Sequence, residues 1–394
     1  MRFPLLPILI ILIFNLLIDF YLWRRLKKSS YNILWRKLHV VLASICNIAL
    51  VVVICVPKRS GDNADLSSIM WTIYAWFSIY IPKLLFVFFD LLASVPLILH
   101  RKRLKILDLA GIVIAAAVFI IMWWGALINR YNIDVNRVDV EIEGLPAAFD
   151  GYTIAQISDL HVGTYGYDTT YVAEVVDEVN SLSPNMIAFT GDIVNRISSE
   201  LEPFVGTLSQ LKAPDGVYSI LGNHDYGDYY NWPSDAQKQA NLEHLCNLQK
   251  QMGWKMLNNA YDIVRRSNDS IAIIGVENVG DPPFHTYGDL DAAYPALDDP
   301  TTKILLSHNP AHWDNDIQDA PDKNIALTLS GHTHAMQMCV FGWSPAAFRY
   351  PTWSGLYKDN DKHRLYVNIG IGEVAIPSRI GATPEITLIT LRAK

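Results

Sequence analysis

The chain has 394 residues, 51% of them hydrophobic and 18% charged, with a mean hydropathy of +0.17. That composition excludes a disordered chain, which needs low hydrophobicity and dense charge, and four cysteines are too few for a small disulfide-held scaffold. The net charge of −7 averages two unlike parts: residues 1–130 carry 15 Lys and Arg against 5 Asp and Glu, a net +10, and the remainder carries 17 basic against 34 acidic residues, a net −17.

The basic part is also the apolar part. Four apolar runs cover roughly Phe3–Trp23, Leu38–Pro57, Ile69–Leu99 and Ile106–Ile128. A helix that crosses a hydrocarbon core of about 30 Å needs about 20 such residues, so residues 1–130 are expected to form an all-α transmembrane bundle of about four helices. The first run is too long for a cleavable signal and no small-residue cleavage site follows it. The third contains Pro82, Lys83, Asp90 and Pro96, and reads either as one kinked helix or as a hairpin of two short ones. Flanking charge decides between them. Arg24, Arg25, Lys27, Lys28, Arg36 and Lys37 follow run one, only Lys58 and Arg59 follow run two, and Arg101, Lys102, Arg103 and Lys105 follow run three. Basic connections stay in the cytoplasm, so run three crosses once. The expectation is a multi-pass protein of a bacterial inner or plasma membrane, with residues 131–394 outside the cytoplasm. Asp19, Lys83 and Asp90 are expected to pair inside the bundle or lie near an interface.

After Arg130 the pattern changes to short apolar runs bounded by turn residues. Tyr152–Ser158, Met186–Thr190, Val217–Leu221, Ile304–Ser307 and Ile325–Leu329 read as strands, as do Leu365–Ile371 and Ile386–Leu391. Val172, Val175, Val176, Val179 and Leu182 recur at helical spacing, and Asp235–Met252 reads as a second helix. Strands alternating with helices predict an α/β domain, a β-sandwich of two mixed sheets flanked by helices.

Five of those strands end in side chains that carry chemistry: Asp159-Leu160-His161, Gly191-Asp192, Gly222-Asn223-His224-Asp225, Ser307-His308 and Gly331-His332-Thr333-His334. Ligands of α/β sheets bind at the carboxyl ends of strands, so one site built from five loops is expected. Asp-x-His or Gly-Asp alone carries little information, whereas all five in order carry much. Carboxylates, imidazoles and an amide oxygen without a thiolate suit Mn, Fe, Zn, Ni or Co. The donors exceed what one ion needs, which points to two divalent ions clamping an in-line displacement.

These motifs resemble those of the calcineurin-like metallophosphoesterases over about residues 150–391. Gly355-Leu356-Tyr357, Val367-Asn368-Ile369-Gly370, Arg379 and Pro384-Glu385-Ile386 are similar to the YkuE/YaeI-like branch. The resemblance implies that Asp159, His161 and His334 hold one metal, that Asn223, His308 and His332 hold the other, and that Asp192 bridges both. It implies a metal-bound hydroxide as nucleophile, His224 facing the substrate, and Asp225 orienting His224. The implied activity is hydrolysis of a phosphate mono- or diester, with a lipid-linked ester raised by membrane location. The alternatives are a pyrophosphohydrolase acting on a nucleotide–lipid diphosphate and a non-catalytic scaffold.

Two departures stand out. Asn195 replaces the acidic residue usual in the second motif, and Ala335-Met336-Gln337 replaces Gly-Gly-Gln after the last. Met336–Phe348 is unusually apolar and is expected either to dip into a bilayer or line an acyl groove, or to pack under the domain. Arg379 is a candidate phosphate ligand or a structural ion-pair member. No Cys pair has metal-ligand spacing, and a Cys246–Cys339 disulfide is left open. No nucleic-acid partner is expected, because residues 131–394 are acidic and offer no basic stripe.

Overall fold

The computed structural model describes residues 5–28, 33–55, 63–280, 282, 285–294, 301–318, 324–359 and 363–394. The chain divides into two compact units, Met1–Gly61 with Asp65–Ala126 and Leu127–Lys394 with Asp62–Ala64.

The first unit contains helices α1 (Leu5–Lys28), α2 (Ile33–Cys55), α3 (Asn63–Ser94) and α4 (Lys105–Leu127). Among the described residues, three segments are long and apolar enough to cross a membrane: Ile33–Val53, Ser67–Leu99 and Lys105–Tyr131. The first few residues of run one, and Lys58 and Arg59 after run two, lie outside the described residues. Run three is one continuous helix with Pro82 inside it, not a hairpin. Its charges are paired, as groups away from water must be. Lys83 Nζ donates to Asp19 Oδ1 at 2.8 Å and Tyr80 Oη donates to Asp19 Oδ2 at 2.6 Å. Asp90 receives Arg25 at 3.0 Å and also pairs with Arg103.

The second unit is a sandwich of two six-stranded mixed sheets. The first sheet runs β1 (Asp134–Ile142), β12 (Glu385–Ala393), β2 (Thr153–Ile157), β3 (Met186–Phe189), β4 (Val217–Ser219), β5 (Lys255–Met256). The second runs β10 (Gly355–Asp359), β11 (His363–Val367), β9 (Ile325–Ser330), β8 (Lys303–Leu306), β7 (Asp269–Gly275), β6 (Ala260–Arg266). Strands β2 to β5 are parallel neighbours, as are β7, β8, β9 and β11.

Side-chain alternation assigns the layers. Ile154, Met186, Ala188 and Tyr218 meet Ile273, Ile304, Leu306, Leu327 and Leu329 between the sheets. The opposite face of the first sheet, with Ala155, Ile157, Ile187 and Phe189, packs on the valines of α5 (Thr170–Ser181). Behind β4 and β5, the helix α7 (Asp235–Gln251) follows the four-residue α6 (Val205–Leu208) and contributes Leu245 and Leu248. Ser234 caps α7 by accepting from Gln237 N. Ile274, Leu305, Ile325 and Leu365 cover the outer face of the second sheet with Trp313 and Ile317. All four cysteines are free, so the Cys246–Cys339 bridge is absent.

Candidate metal centre

Strands β2, β3, β4, β8 and β9 end on the same side of the sandwich, and their carboxyl-end loops bring the expected donors together. Atoms of Asp159, His161 and His334 lie within 4.8 Å of one another, as do those of His161, Asp192 and His224, and those of Asp192, His308 and His332. Asp192 belongs to two of these groups: its Oδ2 is 3.7 Å from His161 Nε2 and 3.1 Å from His308 Nε2. His161 Nε2 faces His334 Nε2 at 3.1 Å, and His334 Nε2 lies 3.2 Å from Asp159 Oδ1.

The far side of most of these rings is tied down. Nδ1 of His161, His308 and His224 meets the carbonyl oxygens of Val194, Thr190 and Asn195 at 3.2, 2.7 and 2.7 Å. A ring that donates Nδ1–H to a carbonyl keeps its Nε2 lone pair for the site. His332 is turned the other way, with Nε2 on the Tyr350 hydroxyl at 2.9 Å. Asn223 Nδ2 donates to Tyr229 Oη at 2.8 Å, and its Oδ1 is buried without a hydrogen-bond partner. Such an orphaned acceptor is rare in native interiors. His308 Nε2 is also buried and faces the Asp192 carboxylate at 3.1 Å. An unpartnered amide oxygen and a convergence of imidazoles and carboxylates suit hard or borderline cations.

The buried carboxylates and imidazoles shift one another. Burial pushes the Asp192 carboxyl up, but His308 and His224 outweigh it and hold Asp192 well below the usual range. Burial likewise raises Asp159, yet His334 brings it down overall. Burial lowers His308, and Asp192 overrides it, raising the imidazole to about 9. His332 falls to about 3, from burial first and then from His308.

The backbone is strained where the donors sit. Asp159, His161, Asp192, His332 and His334 all have positive φ, between 45° and 73°. Side chains held in that left-handed region mark sites where geometry is set by function. Close approach adds to this: a Cβ on Gly222 would fall 2.2 Å from Asp192 Oδ1. The departure after the last motif has a cost of the same kind, since Ala335 and Met336 stand at φ 50° and 46° where glycine is at ease. Ala335→Gly is therefore expected to raise stability by about 1 kcal/mol, read as a higher midpoint in thermal unfolding of the full chain. A lower midpoint would show that this turn is not strained.

Two expected roles are corrected. Asp225 does not touch the His224 ring. Its carboxylate accepts backbone N–H groups from Asp192, Ile193 and Gly222 at 2.9 Å and from Val194 at 3.2 Å, pinning two loops together. Burial and the charge of Asp192 raise Asp225 to about 7. His224 is instead oriented by Asn195 O and by Tyr229, whose ring stacks on it at 4.2 Å. Arg379 is not a phosphate ligand, because it is fully buried. It donates to the carbonyls of Gly372, Ile369 and Ala382, and its Nη2 lies 3.2 Å from His334 Nδ1.

Tyr229, Tyr350 and Glu200 were not singled out in the sequence. Glu200 accepts from the backbone N–H of Asn195 and Arg196, and burial raises it to about 7. None of the three sits in a motif. Only the short separation of His224 and Tyr229, with four residues between them, hints at one of them.

A two-sheet sandwich with this His, Asp and Asn set at its strand ends defines a metallophosphoesterase. Through its C-terminal unit the chain belongs to the calcineurin-like metallophosphoesterases: residues 152–336 match the family model described as "Calcineurin-like phosphoesterase". Residues 1–130 match the model described as "Probable Calcineurin-like phosphoesterase, transmembrane domain", so this is a membrane protein. The chain is similar to the Bos taurus "Transmembrane protein with metallophosphoesterase domain", 32% identical over 66% of this chain and 57% of the relative. It is also similar to the Bacillus subtilis "Uncharacterized metallophosphoesterase YkuE", 29% identical over 68% of this chain and 88% of that one. The chain thus spans a little over half the length of the cattle relative, and 56% of a Danio rerio relative of the same description. Among solved structures, a dimetal phosphatase from Danio rerio aligns with 12% identity and a TM-score of 0.34, over 56% of this chain and 88% of that one.

Proposed function

We propose that the chain is a membrane-anchored, dimetal phosphoester hydrolase. The observation that carries this reading is the convergence of Asp159, His161, Asp192, His224, His308, His332 and His334, with Asn223 Oδ1, next to His224 in the chain, buried without a hydrogen-bond partner. Asp159, His161 and His334 would hold one divalent ion, Asn223, His308 and His332 the other, with Asp192 between them. When bound, such ions lower the pKa of water and offset charge on the phosphoryl oxygens.

The chain's own residues supply the rest. Water adds to phosphorus as the bond to the leaving oxygen breaks, and that oxygen needs a proton. His224 is half-buried, and Asn195 O and Tyr229 hold its ring. Its Nε2 is the atom that delivers the proton. Asp225 acts one layer back, holding the loops that carry Asp192 and Asn223.

The full chain in detergent with Mn²⁺ is expected to hydrolyse an aryl phosphate monoester or diester. His224→Ala is expected to lower kcat by about 10²- to 10⁴-fold with metal content unchanged. Metal-loaded protein inert toward both esters would overturn the reading. The basic connections after α1 and after α3 support a C-terminal unit outside the cytoplasm when all four helices cross. A reporter fused after Lys394 that works only in the cytoplasm would reverse that orientation.

A further inference from the structure

Tyrosines aside, the described residues of the C-terminal unit beyond Asn132 hide their large apolar side chains with one local exception. Among the described residues beyond Asn132, the exposed large apolar side chains other than tyrosine are Met336, Val340, Phe341, Trp343, Phe348 and Ile376. All six lie together. Gln337 Nε2 reaches Ile376 O at 2.6 Å, Met338 bridges to Ile380, and the rings of Trp343 and Phe348 are 5.4 Å apart. The strip begins two residues after His334.

Its tip is built against local preference. Val340 and Trp343 exchange backbone hydrogen bonds at 2.8 and 3.1 Å across the two-residue turn Phe341-Gly342, with φ of 52° and 78°. Two positive φ values are usual for such a turn, but asparagine or glycine normally occupies its first position. Phe341 is fully exposed there, so neither packing nor backbone preference accounts for a phenylalanine.

We propose that this strip docks on a lipid bilayer and brings the metal centre to phosphate esters in the membrane interface. Its substrate half rests on the phosphoester-hydrolase reading; its surface half does not. Three observations favour lipid. Only residues 128–133 separate α4 from β1, a reach of about 20 Å, so this unit is tethered by a short linker to a helix apolar enough to cross a membrane. Residues 336–348 contain no Asp or Glu in a part of the chain with net charge −17, so anionic lipid does not repel them. Phe and Trp on a turn, followed by the exposed Arg349, are the side chains that partition into headgroup regions.

The test uses the full chain in phosphatidylcholine proteoliposomes. In a cysteine-free background, a polarity-sensitive dye is placed at Phe341→Cys or, as control, at Tyr167→Cys, which is also exposed. Brominated lipid is expected to quench the first label by about half or more and leave the second unchanged. No quenching at 341, or equal quenching at both, overturns the proposal. A 341 signal that changes only with protein concentration assigns the strip to a second copy and also overturns it. In the native-cysteine chain, Phe341→Ser with Phe348→Ser is expected to slow hydrolysis of phosphatidic acid in vesicles by about tenfold and leave a soluble aryl phosphate unaffected. Equal turnover of both esters by variant and parent removes the substrate half. Inactivity of the parent toward every ester defeats the hydrolase reading alone, because the labels still decide the surface.

Discussion

Asp192→Asn is expected to lower kcat by about 10³-fold or more, a loss of about 4 kcal/mol in transition-state stabilisation. Asp192 stands between the two donor groups, with one carboxylate oxygen 3.7 Å from His161 and 3.1 Å from His308. The other oxygen accepts the His224 backbone N–H at 2.8 Å. The amide is nearly isosteric, so this last contact and the fold survive. The negative charge that both imidazoles face does not. Metal content, measured by plasma mass spectrometry on the purified full chain, is expected to fall with activity. A variant that keeps two ions per chain and parental kcat would show that Asp192 does not link the sites.

Arg130→Met is expected to cost about 1–3 kcal/mol of stability, since it leaves a buried carboxyl without its partner. Arg130 Nε lies 2.7 Å from Glu373 Oε1, and both side chains are almost wholly out of water. Burial pushes Glu373 up to about 7 even with Arg130 and Arg379 opposing it. The sign of the pH dependence follows. Below the ordinary Glu pKa of about 4.3 the carboxyl is protonated in both the folded and unfolded chain. Between there and about 7 the folded chain holds the proton more tightly, so stability declines as pH rises and the loss is complete above 7. The full swing is about 4 kcal/mol. Thermal midpoints of the full chain should therefore drop from pH 5 to 8, with a flatter slope in Glu373→Gln. Glu200, raised in the same direction, leaves a residual slope. Identical slopes in parent and Glu373→Gln would mean that Glu373 is ionised throughout that range.

The strands that carry the site were legible because they are buried on both faces. β2, β3, β8 and β9 are mainly apolar or small-residue runs, interrupted only by Gln156 and Lys303, that end in turn residues. β1 was not, because Asp134, Arg137, Asp139 and Glu141 alternate with its apolar positions on an edge strand. The β6–β7 hairpin turns on Ser267, at φ 52°, without the Asn-Gly or Asp-Gly signal such turns usually show. At the site, the motifs contain the carboxylates and imidazoles that converge, yet the roles of Asp225 and Arg379 could not be read from them. A carboxylate next to a histidine in sequence can turn toward the ring or toward backbone N–H groups, and only the folded loops decide. The change to Asn195 leaves the hold on His224 in place, because that contact runs through its main-chain oxygen, which any residue offers.

The donor set is split between the sheets. Asp159, His161, Asp192 and Asn223 follow strands of the first sheet, whereas His308, His332 and His334 follow strands of the second. On the ligand assignment proposed for them, each ion would join the two halves of the sandwich like a clasp. Ions that bind only the closed form add about 4 kcal/mol at a thousand times their dissociation constant. Metal starvation would then act on the lifetime of the protein as well as on its turnover: stripped chains would open, expose the apolar interlayer and be cleared, so that cellular abundance would track metal supply.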